Sequence, residues 1–339
     1  GMTTDTPSHI SVHKNHLFLS FSGGSVQHSG TGDPTSWTLV TGAGEISVGS
    51  EVTGLNSMQG NSLAITGIKQ ISVLYGTAAS NWDLKSYSPA IGAISKTHAQ
   101  MDSDLYYFNG DDISNLTATQ AFGDFESASV SALVKPYMDA RKTLTVGATV
   151  NRDKNQYRLF FSDKTALIAT IINRQLVGFS TWLLDHTPSA ITENYMGCTD
   201  GSVMRMDSGT SFNGAAISSY LRLPFTSLNS PHKKKRFRKA TLELEAGSQA
   251  TLNYVASYDY GTGGSSSSSQ ATVYGGGGFW DVASWNYFVW SSAVVASAEA
   301  YLNGSGRNIS LLIVHTSATD PAFTLQGVQL NYSLRGLNR

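Results

Sequence analysis

A single cysteine among 339 residues, Cys198, rules out an internal disulfide and a cysteine-based metal site, and it is silent on redox compartment. Charge is sparse as well: Asp, Glu, Lys and Arg make up 14% of the chain, and no window carries the long amphipathic pattern that a surface helix needs. No stretch approaches the roughly 18 apolar residues of a membrane-spanning helix, and no basic-then-apolar targeting segment opens the chain, so a soluble protein without membrane contact is expected. Gly1 ahead of Met2 reads as a scar of tag removal, which leaves room for a longer natural protein.

What is plentiful is glycine, with 33 residues, and tyrosine, with 15, a β-rich composition. The net charge of −1 conceals an asymmetry: residues 1–221 hold 13 Lys and Arg against 18 Asp and Glu, a balance of −5, and residues 222–339 hold 10 against 6, a balance of +4.

Five segments share one pattern, an apolar or alternating run, a turn of Gly, Asn, Asp or Ser, and a second run. They are KNHLFLSFSGGSVQHS (14–29), GNSLAITGIKQISVLYG (60–76), DSDLYYFNGDDISNLTA (102–118), KNQYRLFFSDKTALIATI (154–171) and YMGCTDGSVMRMDSG (195–209). Each is a hairpin core. Their first runs begin near Leu17, Leu63, Leu105, Tyr157 and Tyr195, so the period is 46, 42, 52 and 38 residues, the size of a propeller blade. Counted from those starts, a large aromatic stands 20, 19, 20 and 25 residues on in the first four copies: Trp37, Trp82, Phe125 and Trp182. A sheet that packs against a sheet on either side needs bulk at one place in each copy, so these four are expected to be buried between blades and to be structural, not ligand cradles. The strand HISVH (9–13) is expected to complete the fifth blade, which would remove its open edge.

Beyond about residue 215 the period disappears. AISSYLRLPF, FRKATLELEA, ATLNYVASYDY, ISLLIVHTS and FTLQGVQLNYSL are longer alternating strands. The expected fold is therefore all-β: a propeller-like array of about five blades over 1–215, then a small antiparallel sandwich over 216–339. GTGGSSSSSQ (261–270) and YGGGGFW (274–280) have loop composition and fall between strands of the second body.

Little in the sequence carries chemistry. His9, His13 and His16 cluster without a carboxylate partner or a zinc-protease spacing, and read as a surface group. MDSD (101–104) and GDD (110–112) stand where turns favour Asp and lack calcium-loop spacing. SGTGDPTSW (29–37) has the wrong residue order for an Asp-box turn. No phosphate loop, nucleophile elbow or Ser–His–Asp pattern can be picked out, so no catalytic, cofactor or metal site is expected. The one conspicuous charge feature is HKKKRFRK (232–239); Lys233, Lys234, Lys235, Arg236, Arg238 and Lys239 read as a protein-contact surface sooner than a nucleic-acid site, because aromatics are not interleaved among them beyond Phe237.

HKNHLFLSF, GDPTSWTLVTGAGEI, ITGIKQISVLYG, ATQAFGDFES and KNQYRLFFSD, followed by YLRLPFTSLNSPHKKKRFRKATLELEA, together resemble the tail tube or nozzle-type structural proteins of bacteriophages and prophages. The resemblance covers most of residues 9–260. It implies a propeller with an added sandwich, assembled in the host bacterial cytoplasm as a ring of copies in the virion tail. Such a ring contacts other tail proteins and passes the genome without specific DNA binding. A glycan-binding or glycan-cleaving propeller at a host or viral surface is the alternative; a pair of carboxylates in a central funnel would mark it.

Overall fold

The computed structural model describes residues 5–58, 61–88, 90–101, 104–116, 129–246, 249–261, 267–274, 296–320 and 322–335. The chain divides into two units, 1–207 and 208–339. The boundary lies ahead of residue 215, because the short strand at 211–212 pairs with the strand at 215–222 and so belongs to the second unit.

The first unit is a succession of antiparallel sheets, each made of consecutive strands. The first holds β1 (His9–His13), β2 (His16–Ser20), β3 (Ser25–His28) and β4 (Gly44–Ser47). The second holds β5 (Val52–Ser57), β6 (Ser62–Gly67), β7 (Ile71–Tyr75) and β8 (Asp83–Ser88). Three described strands follow in the third, β9 (Ala99–Met101), β10 (Asp104–Phe108) and β11 (Ile113–Asn115). A turn of helix, α1 (Lys135–Asp139), precedes the fourth sheet, β12 (Thr145–Asn151), β13 (Gln156–Phe161), β14 (Thr165–Ile172) and β15 (Gln175–Leu183). The fifth holds β16 (Pro188–Ile191), β17 (Tyr195–Cys198) and β18 (Val203–Arg205). This is a propeller-like array, and the five hairpins of the sequence repeat are its second and third strands: Leu17, Leu63, Leu105, Tyr157 and Tyr195 fall on β2, β6, β10, β13 and β17.

The second strand of a sheet is buried on both faces because the alternation of its side chains feeds two cores at once. Leu63 and Ile65 of β6 join Phe18 and Val26 of the first sheet, and Ala64 between them joins Leu105 and Tyr107 of the third. In β10 the pattern recurs: Tyr106 and Phe108 turn the other way, onto Tyr157, Leu159 and Phe161 of β13. Apolar runs without polar alternation, such as LYYF, are the sequence mark of that double burial.

HISVH pairs with β2 in the first sheet, not with the fifth, correcting the expectation. Lys14 and Asn15 between the two strands both have positive φ, 47° and 61°, the two-residue turn that matches strand twist. A local hairpin closes a far smaller loop than pairing across the unit, and it wins.

The histidines are also corrected. They are not a surface group: His13, His16 and His28 are buried, and with His9 and His98 they gather where the first sheet meets the second. His13 Nδ1 lies 2.8 Å from Ser57 Oγ of β5, His9 Nε2 lies 3.1 Å from Ser95 Oγ, and His16 Nδ1 donates to Ser29 O at 2.7 Å. Burial lowers the pKa of His9, His13 and His28, and takes that of His98 down to about 4. The charged groups acting on them are cations: Lys96 beside His9 and Lys14 beside His13.

The second unit is a sandwich. One sheet runs β19 (Ser211–Phe212), β20 (Ala215–Arg222), β25 (Ile309–Ser317), β22 (Gln249–Tyr258) and β23 (Ser267–Tyr274). The other runs β24 (Ala296–Gly306), β21 (Lys235–Ala246) and β26 (Phe323–Leu334). Leu242 and Leu244 of β21, Tyr254 and Ala256 of β22 and Leu311 and Ile313 of β25 share its core.

Candidate assembly surface

The two sheets of the sandwich are unequal in width, and one margin stays open. β26 pairs only with β21, and the outer side of β20 meets only the two residues of β19, among the described residues. At the opposite margin β23 and β24 lie side by side. The open margin is a cavity of about 390 Å³ whose walls are Leu221 of β20, Leu252 of β22, Ile313 of β25, Leu244 of β21 and Phe323 and Leu325 of β26. Its floor is core, while Leu221 at its rim is 46% exposed.

One end of the groove is polar and fixed. His315 lies 3.1 Å from Asp320 through Nε2, and its ring sits edge-on to Phe323 at 5.0 Å. Burial works against the Asp320 carboxylate. Hydrogen bonds from His315, Ser317 and the Thr251 amide outweigh it, and its pKa lies below the ordinary carboxylate value. A groove with apolar walls and one oriented polar end suits an inserted apolar side chain flanked by backbone.

β26 is unusual for an edge. Its twelve residues, FTLQGVQLNYSL, include no charge and no proline, the two devices that most often blunt a free edge. A bulge at Gln326 is the only irregularity on it.

The basic run lies at the other end of β21, by Ser333 and Leu334 of β26, whereas the groove lies at the Leu244 end, by Phe323 and Leu325. A second bulge, at Arg238, shifts β21 by one residue, so Phe237 and Ala240 both face the core while Arg236 and Arg238 point outward. Lys233 and Lys234 are exposed in the turn before β21, and Lys234 O accepts from the Arg335 amide just past β26. Lys239 is tied to Glu299 at 2.5 Å. Lys235 is removed from the expected contact surface: its side chain is fully buried, and Nζ donates to the carbonyls of Ser230, Lys233 and Arg307 at 2.6, 3.2 and 2.9 Å. Strand alternation turns it inward at the end of the sheet, where three carbonyls satisfy the ammonium.

The aromatics of the repeat do not occupy one place. Trp82, just before β8, packs across the boundary of the first and second sheets, with ring centroids 5.1 Å from Phe18 and 4.1 Å from His28. Trp182, on β15, lies beside Phe160 and carries the Arg158 guanidinium 4.5 Å above its ring; Arg158 is fully buried and pairs with Asp207 at 2.6 Å. Trp37 sits in the connection between β3 and β4, with Nε1 donating to Pro34 O at 3.0 Å. All three are half-buried, less than expected, because each lies at or beyond the end of a strand and only one face meets a neighbour. Phe125 lies outside the described residues. Asp111 and Asp112 sit in a turn whose amides donate to Asn109 Oδ1 at 2.8 and 2.7 Å.

No protein-family description matches the chain, and no curated protein matches it. Solved structures resemble it weakly. BBS1N in complex with ARL6DN matches at 10% identity over 59% of this chain and 64% of that one, with a TM-score of 0.39. A streptogramin B lyase matches at 15% identity over 59% and 68%, with a TM-score of 0.38. The virginiamycin B lyase of Staphylococcus aureus matches at 12% identity over 61% and 72%, also with a TM-score of 0.38. The chain thus spans under two thirds of the length of BBS1N, and such distant likeness transfers neither activity nor partner to it; the propeller-like fold rests on the sheets themselves.

Proposed function

We propose that this chain is a non-catalytic structural subunit that works by assembling with copies of itself, a tail-tube or nozzle-type component of a bacteriophage or prophage virion. The observation that carries the reading is the open margin of the sandwich, an uncharged twelve-residue edge beside an apolar groove. Such a margin favours association over isolation. The resemblance of residues 9–260 to phage tail proteins supplies the setting: assembly in the bacterial cytoplasm, contact with other tail proteins and passage of DNA. A conduit must not hold what it passes, since each Lys or Arg that neutralises a phosphate adds affinity. The first unit, at 13 basic against 18 acidic residues, suits the wall of such a channel; the second, at 10 against 6, suits a subunit or tail-protein contact.

The test is mass measurement in solution across concentration and salt, with electron microscopy for rings. The expected result is a concentration-dependent oligomer that weakens as the screening length falls from about 10 Å at 0.1 M salt towards 3 Å at 1 M. A monomer under every condition would overturn the reading. So would turnover of a glycan panel that disappears when a carboxylate of the first unit is replaced.

A further inference from the structure

Each sheet of the first unit has two faces, divided by the alternation along its strands. On β2, His16 and Phe18 face forward to the second sheet; on β6, Leu63 and Ile65 face back to the first, and Ala64 faces forward to the third. The division recurs on β10, and β16 lies against β12, so each boundary uses one forward face and one backward face. Among the described sheets two faces are left over, the backward face of the first and the forward face of the fifth. Strand pairing puts Ile10, Leu19, Gln27 and Glu45 in one row of the backward face and Val12 with Leu17 in the next. On the fifth sheet Met196 and Cys198 are buried, and alternation turns Tyr195, Val203 and Arg205 the other way. Ile10 is 67% exposed, Val12 66%, Tyr195 50% and Val203 70%. In a unit whose apolar residues otherwise meet across sheet boundaries, these four are exceptions, and they sit on the two end faces.

We infer that the forward face of the fifth sheet of one copy stacks on the backward face of the first sheet of the next, continuing between copies the boundary that joins sheets within each. This deepens the reading of the chain as a self-assembling subunit and rests on it. A second copy is the occupant because it offers the kind of face that a forward face meets at the other boundaries. Charge agrees residue by residue. The forward face carries Arg205, and the turn between β16 and β17 carries Glu193; the backward face carries Glu45, and the turn between β1 and β2 carries Lys14. The two turns hold the same place, since each joins the first strand of its sheet to the second. Stacked in register, the faces set Lys14 towards Glu193 and Glu45 towards Arg205. None of the four has an ion-pair partner of its own among the described residues. Opposite charges fix the register and disfavour like-to-like pairing. The two faces differ, so the contact is head-to-tail and closes into a ring when the rotation allows. A face of one small sheet makes a weak contact by itself; joined to the sandwich margin it acts as a second junction and strengthens the assembly that the margin holds.

The experiment uses the full chain with Ile10→Asp/Val12→Asp to spoil the backward face, and with the charge reversals Glu45→Arg and Arg205→Glu at exposed positions. Unchanged melting of each shows that folding is intact; should the aspartate pair melt early, the two charge reversals carry the test. Read by mass in solution across concentration, each variant is expected to weaken self-association by about tenfold. Glu45→Arg/Arg205→Glu in one chain is expected to return to within about twofold of the wild type, because the reversed pair still meets between copies. If the wild type assembles and every variant assembles equally well, or if the double reversal is as weak as its singles, this contact is wrong while the structural reading stands; a wild type that never assembles removes the reading itself.

Discussion

The two units bury apolar surface in different ways. In the first, every described core is shared between neighbouring sheets, so a residue such as Leu63 or Tyr106 stabilises two sheets through one boundary. In the second, a single core lies between sheets of five and three described strands, and the wider sheet runs past the narrower one. The same alternation of side chains thus gives a closed interior in one unit and an open groove in the other. The difference teaches that apolar residues in the first unit hold the fold, whereas those at the margin of the second are free to hold a neighbour.

The comparison is broken most easily at the tryptophans. Trp82→Ala, which empties the boundary between the first and second sheets, should cost about 3 kcal/mol by denaturant unfolding. Trp37→Ala, in a connection that packs on itself, should cost under about 0.5 kcal/mol. Equal losses would mean that the repeat, and not the sheet boundary, decides what is structural.

Acid is the next lever. His98 has a folded pKa of about 4 against an ordinary 6.5, so the unfolded chain takes up its proton first. Its stabilising contribution is whole above pH 6.5 and drains away as pH falls towards 4, by about 3 kcal/mol at about 1.4 kcal/mol per unit. His9, His13 and His28 act in the same direction. Unfolding midpoints from pH 7.5 to 4.5 should fall steeply for the wild type and less steeply for His98→Gln; parallel slopes would remove the histidine boundary from the explanation.

Within the basic run the comparison is sharpened by position. Lys235→Ala takes the ammonium away from three part-buried carbonyls and should cost about 2 kcal/mol. Lys234→Ala, in an exposed turn, should change stability by less than about 0.5 kcal/mol. The smallest effect belongs to the groove: Leu221→Asp should leave stability within about 0.5 kcal/mol while assembly is lost.

Much of the first unit was legible because its signals are local. Turn residues such as Lys14–Asn15, and apolar runs such as LYYF, place strands by short-range chemistry, and the period of the hairpins follows from them. The alternation of FRKATLELEA likewise declared a sandwich strand, but not the bulge at Arg238 that lets Phe237 and Ala240 both face the core, nor the inward course of Lys235. The histidine boundary was illegible because His9 meets His98, and His16 and His28 meet Trp82, only through packing between separate sheets. The groove was illegible for a similar reason: its existence depends on two sheets differing in width, and no single strand records that.

The most direct measurement is the mass of the full chain in solution across protein concentration, wild type against Leu221→Asp. The wild type should gain mass as concentration rises while Leu221→Asp, folded to the same stability, stays a monomer. A wild type that is monomeric at every concentration, or a variant that assembles as well as the wild type, would contradict the account.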